Sequence, residues 1–477
     1  MTPEQAALIA ALSPRLDAAS IVTDSATIAP WEVDWRRRYH GHAPVLLAPA
    51  STADVATIVA AAAAHRVALV PQGGNSSMVG GATPPADGSA VLLSLRRLNR
   101  IRAINADAGL AIAEAGVILS ALHDAALAAG WRFPLTLGAR GSATIGGLVS
   151  TNAGGTQVLR FGSMRALVAG VEAVLADGSI HDGLAALKKD NRGWDLDQLL
   201  IGAEGTLAII TAATLRLVPK APLRSVAWAA TGSPAHALRL LRRCQAATGA
   251  IESFEILPHE SLSAVLAYLP GARAPLTADH RWHLLIEHTD PRGDALLETL
   301  LEAALADGLI VDATIAASDT QADAFWRLRE SISDAERALG PASQHDISVP
   351  VDTMPGFMID AAAACDARFP GTQASGFGHL GDGNIHFHVR AAPGTDPARW
   401  YEADVPVVTR FVDDLVTAAG GSIAAEHGIG QMKVEELARL ASPARLSALR
   451  AVKAAMDPHG ILNPGKLVAL APTRRDP

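Results

Sequence analysis

The stretch Pro71-Gln72-Gly73-Gly74-Asn75-Ser76-Ser77-Met78-Val79-Gly80-Gly81 decides how the rest of the chain reads. It follows directly on VALVP (67–71), an apolar run of the kind that forms a buried strand. Adjacent glycines let backbone N–H groups converge on an oxygen anion with no Cβ in the way. That geometry suits a pyrophosphate. The loop is not the G-x-G-x-x-G fingerprint of nicotinamide dinucleotide folds, nor the G-x-x-x-x-G-K-[ST] loop of nucleoside triphosphatases, so neither class is supported.

On either side of the loop the chain alternates strand and helix patterns. VLLAP (45–49) reads as a strand and STADVATIVAAAAAH (51–65) as a Ser/Thr-capped helix. AVLLSL (90–95) is a further strand, RIRAIN and GLAIAEAG form a hairpin around Asp107–Gly109, and LSALHDAALAAG is a helix ending at Gly130. Gly138 leads into a second glycine-rich loop, Gly141-Ser142-Ala143-Thr144-Ile145-Gly146-Gly147, closed by Ser150-Thr151-Asn152-Ala153-Gly154-Gly155. Taken alone, this could be two tight turns at a sheet edge. Two such loops in one α+β unit provide the several backbone contact points that a large extended cofactor needs. Pro219 and Pro222 mark a boundary, after which 223–430 alternates strand-like and helical pieces, and 431–465 reads as two short helices.

Composition narrows the function. With 40 Lys+Arg against 48 Asp+Glu there is no basic excess to track a phosphate backbone, so no nucleic-acid partner is expected. Two Cys exclude a disulfide scaffold and a Cys-ligated iron–sulfur cluster within the chain. The first residues lack a basic segment followed by an apolar one, and charges interrupt the apolar stretches. A soluble cytoplasmic enzyme is expected, with peripheral attachment to the inner membrane left open.

The densest ionisable segment is His379-Leu-Gly-Asp-Gly-Asn-Ile-His386-Phe-His388. His386 and His388 alternate on an extended strand and so face one side, and the glycine-rich turn can bring His379 back towards His386. Two imidazoles with a carboxylate from the later Glu426-His427-Gly428 can hold a divalent metal with one position open to substrate. Spacing alone does not separate this from ordinary core histidines.

Six ordered blocks carry a family resemblance. PQGGNSSMVGG (71–81), TIGGLVSTNAGGTQVLRFG (144–162) and KKDNRGWDLDQLLIGAEGTLAIIT (188–211) resemble the flavin loops of the FAD-linked oxidases of the vanillyl-alcohol oxidase superfamily. SGFGHLGDGNIHFHV, SIAAEHGIGQMK and DPHGILNPGK resemble the C-terminal half of its D-2-hydroxyglutarate and D-lactate dehydrogenase branch. The resemblance implies an α+β fold: a bipartite PCMH-type FAD-binding domain, an antiparallel-sheet substrate domain and a small C-terminal helical segment. The expected organisation is an N-terminal helix and tether (1–41), the FAD domain (42–220), the substrate domain (221–430) and a C-terminal segment packing back on the FAD domain (431–477).

The resemblance places FAD against Pro71, Gln72, Gly73, Gly74, Asn75, Ser76, Gly138, Thr144, Gly146, Gly147, Thr151, Asn152, Gly154, Gly155, Glu204, Gly205, Ile210 and Asn463. Some relatives tether the flavin through a His in the first loop; Asn75 stands here, so non-covalent FAD is expected. The branch's metal ligands fall on His379, His386 and Glu426, and the metal there is usually zinc, with manganese or iron in other members. His427 matches the general base, Arg329 the arginine that fixes the substrate carboxylate, and Ser333, four residues on, a small hydroxyl on the same helix face. His388 joins this catalytic set where the family has Asn.

The implied reaction oxidises a D-2-hydroxy acid by hydride transfer to flavin N5. A quinone, a cytochrome or an electron-transfer flavoprotein would take the electrons, and a homodimer is compatible. Gln344 replaces the lysine that relatives use for a distal carboxylate, although His345 or His388, if protonated, could supply a donor. A D-2-hydroxyglutarate-like diacid therefore competes with D-lactate-like monoacids.

Overall fold

The computed structural model describes residues Met1–Val468; the part of the expected C-terminal segment beyond them (469–477) lies outside the described residues. The chain divides into two compact units. One comprises Met1–Gly154, Ser163–Lys220 and the chain from Glu426; the other comprises Gly155–Gly162 and Ala221–Ala425.

In the first unit, helix α1 (Pro3–Leu12) is closed at its start by a Thr2/Gln5 capping box and buries Leu8 and Leu12 in the unit's core. β1 (Leu46–Leu47) leads to α2 (Thr52–His65), whose Ser51 side chain caps the Asp54 amide. Val55, Ile58, Val59 and Ala62 recur at helical spacing and are buried. α2 crosses over to β2 (Ala68–Gln72), and β3 (Ala90–Ser94) lies between β1 and β2, parallel to both. A second, antiparallel sheet is built from β4 (Ile101–Asn105) and β5 (Leu110–Glu114), then, after α3 (Ile145–Thr151), from β6 (Val168–Leu175), β7 (Ile180–Asp182) and β8 (Ala208–Arg216), in the order β4-β5-β8-β6-β7. The chain's end returns to this unit: the Leu69 amide donates to Ile461 O (2.7 Å) and the Asn463 amide to Leu69 O (2.8 Å), so 461–463 pairs beside β2. This unit is thus bipartite, with C-terminal helices Val434–Leu440 and Pro443–Met456.

The second unit is a seven-stranded antiparallel sheet with helices on both faces. Its elements in chain order are β9 (Ser225–Thr231), α4 (Pro234–Ala247), β10 (Ile251–Pro258), α5 (His259–Tyr268), β11 (Trp282–His288), α6 (Asp294–Ala306), β12 (Asp312–Ile315), α7 (Asp319–Glu330), α8 (Ile332–Ala338), β13 (Ala342–Ser348), α9 (Met354–Arg368), β14 (Gln373–His379), β15 (Asn384–Arg390) and α10 (Val405–Ala418). The strand order is β12-β9-β11-β10-β14-β15-β13.

The alternation in NIHFHVR of β15 shows why the faces differ. Ile385, Phe387 and Val389 point to one side and join Phe254, Ile256, Leu284, Ile286 and Ile347 in a core shared with α4, α6, α9 and α10. His386 and His388 take the other side, where Phe377, Leu257, Leu285 and Trp228 form a second cluster with α5, α7 and α8. The β14–β15 ladder pairs Phe377 with His386 and His379 with Asn384, and β10 adds Glu255 opposite His379. One sheet face is a dry core, and the other carries a row of ionisable side chains.

Candidate active site

The ionisable face assembles around Phe377. Its ring centroid lies 5.0 Å from that of His386 and 5.5 Å from that of His388, and the Arg329 guanidinium stacks over it at 4.9 Å. The His379 and His386 rings meet edge to face at 5.6 Å, so the turn between them brings the two imidazoles together. That turn is tightly held: a Cβ on Gly381 would fall 2.3 Å from Leu159 Cδ1, and one on Gly378 2.1 Å from Asn384 O.

Sequence reasoning missed the carboxylates beneath this face. Glu255 is fully buried; one oxygen accepts from Arg329 Nε (2.8 Å) and the other meets His379 Nδ1 (2.7 Å). Burial pushes its carboxyl up, but the charges of His379 and Arg329 and their hydrogen bonds outweigh burial and hold it below the usual range. Glu336 on α8 bonds to His388 Nδ1 and accepts from Ser261 Oγ (2.7 Å); there too burial is outweighed, by His388 first, and the carboxyl is lowered. Glu252 gathers Gln157 (3.1 Å), Arg160 (2.7 Å) and Thr289 (2.8 Å), anchoring the segment that follows the second glycine loop. The one available signal was Glu252 and Glu255 inside the apolar strand IESFEILP, because buried carboxylates are rare unless paired.

Arg329 is buried at 7 % exposure, and its Nη2 has no hydrogen-bond partner among the described residues. An unsatisfied buried guanidinium N–H is costly, so it points to an anionic partner. The expectation that Ser333 shares its helix face gives way to two helices parted at Ser331: Arg329 lies in the last turn of α7, whereas Ser333 is exposed near the start of α8. His345 is also corrected as a donor for a distal carboxylate. It pairs with Phe387 and so points to the opposite sheet face, where it meets Ser343 Oγ at 2.8 Å. Gln344 does face the His388 side, directly opposite it in the ladder.

Asp346 pairs with His386, and the Ala425 amide donates to the Asp346 carbonyl over 3.4 Å. Ala425 ends this unit, and Glu426 and His427 follow it directly in the chain.

In the first unit the glycine loops press on one another. A Cβ on Gly73 would stand 2.1 Å from Thr144 Oγ1, one on Gly74 1.8 Å from Ser142 O, and one on Gly205 2.5 Å from Pro71 Cγ. Gly73 and Gly74 thus have a second reason to be glycine, the approach of the other loop. Asn75, Asn152, Glu204 and Asn463 all hold positive φ (52°, 49°, 52° and 43°), a strained state that clusters at functional sites.

The side chains of these residues hold the backbone. Gln72 Nε2 donates to Trp31 O and Ala82 O (both 2.9 Å), and Asn75 Nδ2 to Val33 O (2.9 Å). Asn152 Oδ1 accepts from Ser163 and the Arg165 amide (both 2.8 Å). Glu204 accepts the Ile429 and Gly430 amides (both 2.7 Å), and burial raises its pKa despite them. Asn463 Nδ2 donates to Gly81 O (3.0 Å) and Glu204 O (2.7 Å). The Glu204 carboxylate is thus engaged by backbone at 429–430. Ile210 is a buried strand residue paired with Ala173, and Gly138 is exposed. Thr144 Oγ1 is buried with no partner among the described residues, an orphan hydroxyl beside Gly73 that fits a phosphate-bearing cofactor.

The family of FAD linked oxidases, C-terminal domain, matches residues 220–467, and that of the FAD binding domain matches 43–183. The chain belongs to the FAD-linked oxidases. A D-2-hydroxyglutarate dehydrogenase, mitochondrial, of Arabidopsis thaliana is 36% identical over 94% of this chain and 79% of its own length. The Bos taurus protein of the same name is 37% identical over 94% of this chain and 81% of its own. A crystal structure of p-cresol methylhydroxylase with substrate bound shares the fold at a TM-score of 0.76, with 16% identity over 98% of this chain and 97% of that one. This FAD-linked oxidase is therefore an FAD-dependent oxidoreductase related to the D-2-hydroxyglutarate/D-lactate dehydrogenase branch. Both relatives are mitochondrial by name, which overturns the cytoplasmic placement inferred from composition. Among the described residues no helix is long and apolar enough to cross a membrane.

Proposed function

We propose that the enzyme oxidises a D-2-hydroxy acid to the 2-oxo acid, with Arg329 holding the substrate carboxylate and a divalent metal held by His379, His386 and Glu426. The observation that carries this reading is a buried guanidinium with a free N–H edge on the same sheet face as two facing imidazoles. The donor set of two imidazoles and one carboxylate fits zinc, and also manganese or iron. Bound FAD supplies the hydride acceptor and a bound metal supplies Lewis acidity toward the substrate hydroxyl.

The chain's own residues orient the substrate and move its proton. The planar fork of Arg329 fixes one carboxylate and thereby the D-configured carbon. His427 takes the hydroxyl proton, a role suited to an imidazole near neutral pH. His388, held by Glu336, lines the same face. FAD is bound without a covalent tether, since the first loop has no His. An external acceptor such as a quinone, a cytochrome or an electron-transfer flavoprotein reoxidises the enzyme.

A D-2-hydroxyglutarate-like diacid is the first substrate class. D-lactate-like monoacids are the second, because Gln344, a neutral amide, lies opposite His388, where the family resemblance implies a lysine. Anaerobic mixing with D- and L-2-hydroxy mono- and diacids, followed by visible absorbance, tests both. Bleaching by D-acids is expected, with the diacid fastest. Bleaching by L-acids alone, or by none of the panel, overturns the substrate class.

A further inference from the structure

Glu255 is a fully buried charge on the ionisable face, and it is shared. It stands in the middle of β10 at 0 % exposure, opposite His379 in the ladder. Its Oε2 takes the Arg329 Nε–H and its Oε1 faces His379 Nδ1, at 2.8 and 2.7 Å. A carboxylate removed from water is tolerable only when such partners compensate it. As an acceptor it holds a proton of His379 on Nδ1, which makes Nε2, directed away from β10, the ligand atom. On the other partner it occupies Nε, so the outer edge of the guanidinium, including the unpaired Nη2, is what remains for an anion. Each partner is thus left with one working edge.

We infer that Glu255 is a positioning residue that sets both halves of the site together: the His379 tautomer that binds metal and the Arg329 orientation that binds the substrate carboxylate. This rests on the metal and clamp roles proposed above. It adds a residue that touches neither substrate nor metal yet makes the two sites depend on one carboxylate. Loss of the charge should therefore weaken both together, whereas a defect confined to packing would weaken neither selectively.

The test uses FAD-loaded enzyme and zinc, with chelator competition as the readout. Glu255→Gln keeps the shape but removes the charge and leaves one acceptor oxygen for two donors. Its zinc affinity should fall about 10- to 100-fold, as removal of such outer partners does elsewhere, and KM for the 2-hydroxy acid should rise, with flavin content unchanged. His386→Ala is the control for the underlying reading. If it keeps wild-type zinc affinity, the metal assignment itself fails. If it loses zinc while Glu255→Gln binds zinc as tightly as wild type, the metal assignment stands and the role of Glu255 is overturned. Nitrogen-15 NMR of the wild-type protein without metal, assigned by difference from His379→Gln, tests the same point even if the Glu255 variant does not fold. An Nδ1–H signature for His379 is expected, and an Nε2–H signature would overturn the inference.

Discussion

The flavin loops and the histidine face solve opposite problems. In the loops, side chains hold the backbone: Gln72, Asn75, Asn152, Glu204 and Asn463 all bond to main-chain groups, and four of the five sit at positive φ. On the histidine face the backbone is an ordinary antiparallel ladder, and the side chains bond to one another through Glu255, Glu336 and Arg329. Main-chain N–H groups suit a long cofactor whose phosphates need donors at fixed points. Side chains suit chemistry that needs a proton acceptor, a cation and metal ligands within a few ångströms. Added volume should therefore break the first region, and altered charge the second.

The largest expected effect follows from volume. Gly74→Ala would place a Cβ 1.8 Å from the Ser142 carbonyl oxygen, a backbone atom that cannot swing away. Overpacking of this kind costs about 3 kcal/mol, over a hundredfold in binding if it falls on flavin retention. Wild-type protein should release its FAD on acid treatment, and Gly74→Ala should leave gel filtration nearly colourless. A variant as yellow as wild type would break the comparison on the loop side.

Next comes charge without volume. Arg329→Lys keeps the cation and loses the fork that faces Glu255 and the free Nη2 edge. Charged hydrogen bonds contribute about 1.5–3 kcal/mol, so kcat/KM should fall roughly 10- to 100-fold, with flavin content unchanged. Unchanged steady-state kinetics would remove Arg329 from the site.

These two regions were not equally legible in the sequence. The loops could be located from glycine spacing, and the hairpin that joins His379 to His386 from alternation around a glycine turn, because both are local patterns. What the loop side chains do was not legible. Gln72 and Asn75 reach Trp31 and Val33, some forty positions away, and Glu204 reaches Ile429. The same holds for Glu255, whose partners lie 74 and 124 positions along the chain. Strand order sets those contacts, and nothing in a one-dimensional pattern states that β10 lies beside β14. The misreading of Ser333 has a smaller cause: an i, i+4 argument assumes an unbroken helix, and the break at Ser331 leaves no proline or glycine as a mark.

The smallest effect sharpens the comparison through pH. His283 lies on the ionisable face at 2 % exposure, and its Nδ1 accepts from Trp228 Nε1 (3.2 Å). Burial, and then the neighbouring His280 and His259, lower its pKa from 6.5 to about 4, against weaker opposing pulls from a backbone hydrogen bond at His280 and then from Asp279. The sign follows from proton counting. Between those values the unfolded chain binds a proton that the folded chain refuses, so stability is intact above pH 6.5 and is lost as pH falls towards about 4. From pH 6.5 to about 5 this amounts to about 2 kcal/mol. His283→Gln retains an acceptor for Trp228 and carries no titrating group, so its urea midpoint should drop less than that of wild type over this interval. Equal drops in the two proteins would show that His283 does not couple this face to pH, and that its burial is compensated in a way these contacts do not explain.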